Sequence, residues 1–256
     1  MNTFTRHVRR LGAAIRFFTR IPLPGAGVVL SDEEFGKSLA WAPMTGLFVG
    51  LWTAGFDFCF RFALPPAPAA VLTMLAYAAI TGGLHLDGLG DTFDGLLSGR
   101  SREKMLAIMK DSRVGSFGLL AVVFLLLLDV ACLSAFPPDR RFAALCLWPV
   151  LGRTASVAGA AFHPYARPEG GMGKSFVDHC GPRELLAGLV PALLLAWLLL
   201  GTTGLAWTGS TVLLALLVCW RLARPLGGVT GDTLGAACEL TQAMALVVWI
   251  LLNNWL

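Results

Sequence analysis

Long apolar runs, separated by short stretches that hold most of the charge, leave this chain few ways to fold. The runs lie near residues 39–61, 66–84, 115–136, 141–162, 184–201, 205–220 and 236–255. Several approach or reach the roughly 20 residues that cross a bilayer as a helix. The chain is 56% hydrophobic and only 14% charged, outside the usual soluble range. The expectation is an all-α polytopic membrane protein. It is a single domain over 1–256, with about seven transmembrane helices packed into its core.

Proline marks two of the breaks. Pro65, Pro66 and Pro68 part the first run from the second, and Pro137 and Pro138 part the third from the fourth. Asp57 and Asp129 fall inside runs or near their ends. Intramembrane acids are costly, so each marks either a function or a polar helix contact. Arg153 opens the small-residue stretch GRTASVAGAA, of a kind that lets helices approach closely.

Residues 1–24 interleave Arg6, Arg9, Arg10, Arg16 and Arg20 with Val8, Leu11, Ile15, Phe17 and Phe18. That pattern is an amphipathic basic helix lying in the headgroup plane. A signal peptide is excluded because the apolar part is short, interrupted by arginine, and closed by Pro22 and Pro24. Ser31 or Asp32 then caps a helix start. With the N-terminus in the cytoplasm, the polar segments 85–114, 163–183 and 221–235 all face it too. Only Arg61, Arg140 and Arg141 fall on the other side, where the C-terminus emerges.

The segment from Gly82 to Gly118 carries the densest chemistry. Asp87, Asp91 and Asp94 are spaced by four and three, which puts them on one face of a helix. Nothing about helix stability favours three aspartates among glycines. A hard divalent cation would relieve their repulsion, and Mg²⁺ prefers oxygen ligands. The rival reading is a solvated acidic turn, and the flanking glycines, His85 and the basic stretch that follows weigh against it. Ser101-Arg102-Glu103, with Met105, Leu106 and Met109, makes 102–111 a short amphipathic helix at the membrane surface. It would carry Lys110 and Arg113 to the border of the aspartates, with Asp111 between them. The alternative for Arg102 and Lys104 is solvated charge, which is the favoured reading for Lys104.

Two further polar segments reach the same face. In 163–183, Gly170, Gly171 and Gly173 precede Lys174, as in a loop that binds anions through backbone N–H groups. The spacing is not that of a Walker A loop, and a plain flexible connector fits as well. In 221–235, Asp232 either caps the last helix or faces the site. Gly-Asp-Thr occurs at 90–92 and again at 231–233, where it ends on Thr233. The six cysteines form no CxxC pair and read as small buried hydrophobes. Cys180, with His179 and His163, is a weak metal candidate on spacing.

Aspartates, glycines and basic residues gathered beside a membrane suit a substrate that carries phosphates. Aspartates hold Mg²⁺, and Arg and Lys neutralise the remaining charge. Phosphoryl transfer is mostly positioning and electrostatics, so no Ser or Cys nucleophile is needed.

HLDGLGDTFDG, then REKMLAIMKDSRVGSFG, then RPLGGVTGDTLGAACEL closely resemble the cobalamin synthase family of adenosylcobinamide-GDP ribazoletransferases. The likeness takes in Arg20-Ile21-Pro22, Gly152-Arg153 and Gly171-Met172-Gly173, and so essentially the whole chain. Gly90 stands where alanine is expected and Ser116 where threonine is expected. The resemblance implies a Mg²⁺-dependent enzyme of the cytoplasmic (inner) membrane. It would join adenosylcobinamide-GDP to α-ribazole or its 5′-phosphate, releasing GMP, late in cobalamin biosynthesis. Asp87, Asp91 and Asp94 would hold the metal. One of them, or Asp111, would take the proton of the attacking hydroxyl. Arg113 and Lys110 would stabilise the departing GMP. His85, Arg102, Lys174, Asp232 and Thr233 would complete substrate binding. The partners are these substrates and the lipid bilayer, with no nucleic acid; oligomer formation is left open.

Two alternatives stand beside this reading. A CDP-alcohol phosphotransferase also clusters aspartates at a cytoplasmic mouth, and Asp91-x-x-Asp94-Gly95 matches part of its signature, but no Ala-Arg pair follows. A transporter would account for Asp57, Asp129 and Arg153, but no inverted repeat is visible.

Overall fold

The computed structural model describes residues 3–23 and 30–255. Met1, Asn2 and Pro24, which fall in the expected N-terminal segment, lie outside them. All regular structure among the described residues is helical apart from one isolated bridge, between Tyr165 and Val229. The helices are α1 (Thr3–Phe18), α2 (Asp32–Lys37), α3 (Ala42–Ala63), α4 (Pro66–Thr81), α5 (Leu84–Leu96), α6 (Arg102–Ile108), α7 (Ser116–Ala135), α8 (Pro138–Phe162), α9 (Lys174–His179), α10 (Pro182–Leu226) and α11 (Gly231–Trp255). Ser31 is the N-cap of α2, its hydroxyl accepting from the Glu34 N–H at 3.2 Å.

Five helices are long and apolar enough to cross a membrane, and α4 with α5 makes a sixth, bent by 93°. The bend comes from Gly82 and Gly83, both at positive φ (65° and 70°), where a side chain would be strained. The 45 residues of α10 are about 68 Å of helix, twice what a bilayer needs. They turn back at Gly201 (φ 62°). Gly188 of the first arm packs on Pro43, at the start of α3, while Arg102 reaches Leu226 at the end of the second. Thr203, at the turn, meets Arg140 at the start of α8. Both ends of α10 therefore lie at one end of the bundle and its turn at the other. Counting the arms separately gives the seven passes expected from the sequence.

Helix α8 is the central post, with almost every residue from Ala144 to Ala160 buried. It runs antiparallel to α3, and only glycine fits at the crossing. A Cβ on Gly46 would sit 2.7 Å from the Pro149 carbonyl oxygen. Trp148, Trp207 and Trp249 fill the middle of the bundle. The buried Asp57 and Arg141 form a bidentate pair at 2.6 and 2.7 Å, with Thr73 donating to the carboxylate at 3.1 Å. A pair so satisfied locks α3 to α8 and needs no transported ion to explain it. Asp129 is buried too, and nothing in the structure accounts for it.

Candidate active site

Three chain segments meet at the end of the bundle that carries most of the basic residues. Helix α5 supplies Asp87, Asp91 and Asp94. The start of α11 supplies Asp232. The loop after α8 supplies Arg167. The polar segment 85–114 is mostly helix, α5 and α6 joined by a short turn, as the aspartate spacing and the pattern over 102–111 predict.

Close packing decides where the glycines of α5 fall. Gly88 lies against the backbone of Asp232, where a Cβ would come within 2.9 Å of its carbonyl oxygen. Gly118 of α7 brings its backbone against Gly90 in the same manner. These contacts lay the aspartate helix against α11 and α7 at backbone distance. The Asp91 carboxyl then feels the charges of Asp87, Asp232 and Asp94, with Arg167 the counter-charge beside it.

The four carboxylates are not equivalent. Asp94 accepts the Gly115 and Gly118 N–H groups, both at 2.8 Å, and so holds the first turn of α7. Asp232 accepts from Arg167 at 2.6 Å. The cap of α11 is formed by other residues: Thr230 N–H donates to the Thr233 hydroxyl at 2.7 Å, and Thr233 N–H to the Thr230 hydroxyl at 3.2 Å. Asp232 is therefore not the cap, and it lines a cavity together with Asp87. The buried Thr233 spends its hydroxyl on the cap.

Arg167 is the site residue that sequence reasoning missed. Its loop is tied to the chain before α11 by Ala166 N–H to Val229 and Val229 N–H to Pro164, both 2.8 Å. Arg102 fastens both strands of this tie, donating to the Leu226 and Ala166 carbonyls at 2.6 Å each. Its guanidinium holds the site's frame together. Gly173 lies against Gly231, where a Cβ would be 2.8 Å from the Gly231 nitrogen.

The remaining cations stand further out. Lys110 pairs with Glu169, Lys174 with Asp178, and Arg113 with Asp111, all exposed or half-exposed. The Arg113 hydrogen bonds hold the Asp111 carboxyl down to about 2. That makes Asp111 a poor proton acceptor. The Cys180 candidate does not converge: its thiol faces the Val157 carbonyl, His179 faces Asp32, and His163 faces Gly159.

A cavity of about 110 Å³ opens beside Asp87 and Asp232, walled by Phe17 and Phe18 of α1, Phe176 of α9, and His85. Beneath it runs a buried polar network. Tyr77 donates to Glu239 at 2.6 Å, Gln242 to Tyr77 at 2.8 Å, and Arg153 to Gln242 and Tyr77. His85, Cys238 and Glu239 lie close enough to share a metal. Arg153 already supplies positive charge beside Glu239, and Tyr77 and Gln242 occupy its oxygens. No three carboxylates of the aspartate cluster lie as close together, but the cluster carries the larger negative charge. It has four carboxylates against one guanidinium, and among the described residues no hydrogen bond reaches the side chains of Asp87 or Asp91. A hard, all-oxygen donor set suits Mg²⁺.

Fold and site together define a polytopic membrane enzyme whose carboxylate cluster lies at one mouth of a helical bundle. The chain belongs to the cobalamin-5-phosphate synthase family, whose model matches residues 10–250. An adenosylcobinamide-GDP ribazoletransferase of Acetivibrio thermocellus is 42% identical over 247 residues, covering 96% of this chain and 99% of the relative. One of Clostridium acetobutylicum is 38% identical, covering 93% and 94%. One of Roseiflexus is 39% identical, covering 92% and 87%. No solved structure matches. Membership of this family sets aside the phospholipid-synthase and transporter readings.

Proposed function

We propose that this chain joins adenosylcobinamide-GDP to α-ribazole, or to its 5′-phosphate, and releases GMP. The gathering of Asp87, Asp94 and Asp232 around Asp91, beside a cavity that Asp87 and Asp232 line, carries the reading. A ribose hydroxyl attacks the phosphorus on the cobinamide side of the pyrophosphate. One P–O bond forms, the P–O–P link breaks, and GMP leaves with the electron pair. The hydroxyl proton passes to a carboxylate of the cluster.

Asp87 and Asp91, with the lone pairs Asp94 has left, would hold Mg²⁺. When bound, the ion offsets negative charge on the pyrophosphate oxygens. Arg167 keeps Asp232 in place at the edge of the cavity. Lys110, Lys174 and Arg113 form a cationic rim that meets the guanosine phosphates by exchanging their present carboxylate partners. The clustering of basic residues at this end supports a cytoplasmic N-terminus and site, in the cytoplasmic membrane.

The test is direct. The protein in mild detergent receives both substrates with Mg²⁺ or with EDTA, and GMP is followed by chromatography. GMP and cobamide should appear with Mg²⁺ and stop with EDTA. Asp87→Ala and Asp91→Ala should each abolish turnover while still inserting in the membrane. Wild-type rates from both variants would refute the assignment.

A further inference from the structure

A larger cavity lies elsewhere. About 550 Å³ of space runs between α1, the start of α3 and the first arm of α10. Its upper rim carries Arg10, Lys37 and Arg183. Its lower walls are apolar, among them Leu47, Leu194 and Leu198. Leu194 and Leu198 are 55% and 65% exposed, so the groove opens on the flank of the bundle that faces lipid.

Charge and length together say what fits. Around the rim, Arg6, Arg10, Lys37 and Arg183 stand against Glu33, Glu34 and Glu184. Glu34 is taken by Arg10 and Glu33 by Lys37. Arg183 makes no ion pair or hydrogen bond among the described residues and projects at the mouth of the groove. The rim is thus short of negative charge. Along α10, Arg183 and Leu198 are about 22 Å apart. That is about half the thickness of a bilayer with its headgroups. A free phosphate would use only the rim, and a zwitterionic lipid would bring a cation of its own to a rim that already has an excess of them.

We infer that this groove binds one anionic glycerophospholipid, its phosphate at Arg183 and Lys37 and an acyl chain along Leu47, Leu194 and Leu198. The site is separate from the aspartate cluster, but α1 links the two. His7 and Arg10 line the groove, and two to three turns later Phe17 and Phe18 line the active-site cavity. Lipid in the groove fastens α1 to the bundle and so fixes one wall of the reaction chamber.

The experiment is native mass spectrometry of the full chain in neutral detergent, titrated with phosphatidylglycerol, phosphatidylcholine or inorganic phosphate. Phosphatidylglycerol should bind as a single adduct, well ahead of phosphatidylcholine, and millimolar phosphate should not displace it. Each rim charge removed should weaken binding about fivefold. Lys37→Gln with Arg183→Gln should therefore cost about 25-fold. Ala187→Trp, which fills the groove without altering charge, should also abolish the adduct. Arg140→Gln, at the opposite end of the bundle, should change nothing. Equal retention of both lipids would overturn the inference, as would displacement by phosphate. Undiminished binding in both the charge variant and Ala187→Trp would do the same. Melting curves confirm that each variant is folded, and the charge variant, altered only on the rim, carries the test if Ala187→Trp is not.

Discussion

Two glycines of α5, two residues apart, respond oppositely to alanine. On Gly88 the new methyl would lie 2.9 Å from the Asp232 carbonyl oxygen and 3.0 Å from its Cα. Both atoms are backbone, at a capped helix start, and cannot rotate away. Carbon contacts are comfortable near about 3.5–4.0 Å, so α5 and α11 must part by about 0.5 Å or more. A misplacement of about 1 Å in a catalytic constellation costs about 10²-fold, so Gly88→Ala should lower kcat about 10- to 100-fold. On Gly90 the methyl meets only a Val122 methyl at 3.8 Å. Gly90→Ala should therefore keep activity and gain about 1 kcal/mol of helix propensity. The assay is GMP release by both variants in detergent, with melting temperatures alongside. Wild-type turnover by Gly88→Ala, or equal damage from Gly90→Ala, would refute the packing argument.

The other predictions concern charges. Asp111→Asn should leave the acidic limb of the pH–rate profile in place. With its pKa held down to about 2, Asp111 is ionised throughout the assay range and does not titrate there. A shifted limb would show that it acts in proton transfer. Arg167→Gln should lower kcat about 10²-fold, because Asp232 loses its 2.6 Å partner, and Arg167→Lys should restore only part of it; unaltered kinetics would remove Arg167 from the site. Arg141→Ala should destabilise the bundle by about 3–5 kcal/mol, since it strands Asp57 in the interior. Replacing both, as Asp57→Leu with Arg141→Met, should recover much of that in thermal melts.

What could be read along the chain was local. Apolar runs gave the passes, including both arms of α10, because a bilayer imposes one length on every crossing helix. Ser31 gave the start of α2 through its own side chain. The three aspartates were visible because one helix carries them at i, i+4 and i+7. Arg167 was not, because its meaning depends on Asp232, 65 residues away. Long separation also hid the task of Arg102, whose two carbonyl acceptors, 124 and 64 residues away, come from the end of α10 and from the loop after α8. For Asp232, pattern alone left capping and catalysis open. Thr230 and Thr233 cap the helix between them, which leaves the Asp232 carboxylate to Arg167. Gly90 departed from the family pattern, and the open space over it shows why either residue fits there.

The contact between Gly88 and Asp232 also sets a timetable for the newborn chain. About 145 residues separate them, and at about 5–20 residues per second the ribosome needs roughly 7–30 s to make that stretch. Through that interval the aspartate helix has no partner to pack its glycine face. Its carboxylates must wait at the water boundary while α7, α8 and both arms of α10 are threaded into lipid. The chamber closes only when the last crossing helix arrives, so a chain cut short before α11 would be inserted yet inert.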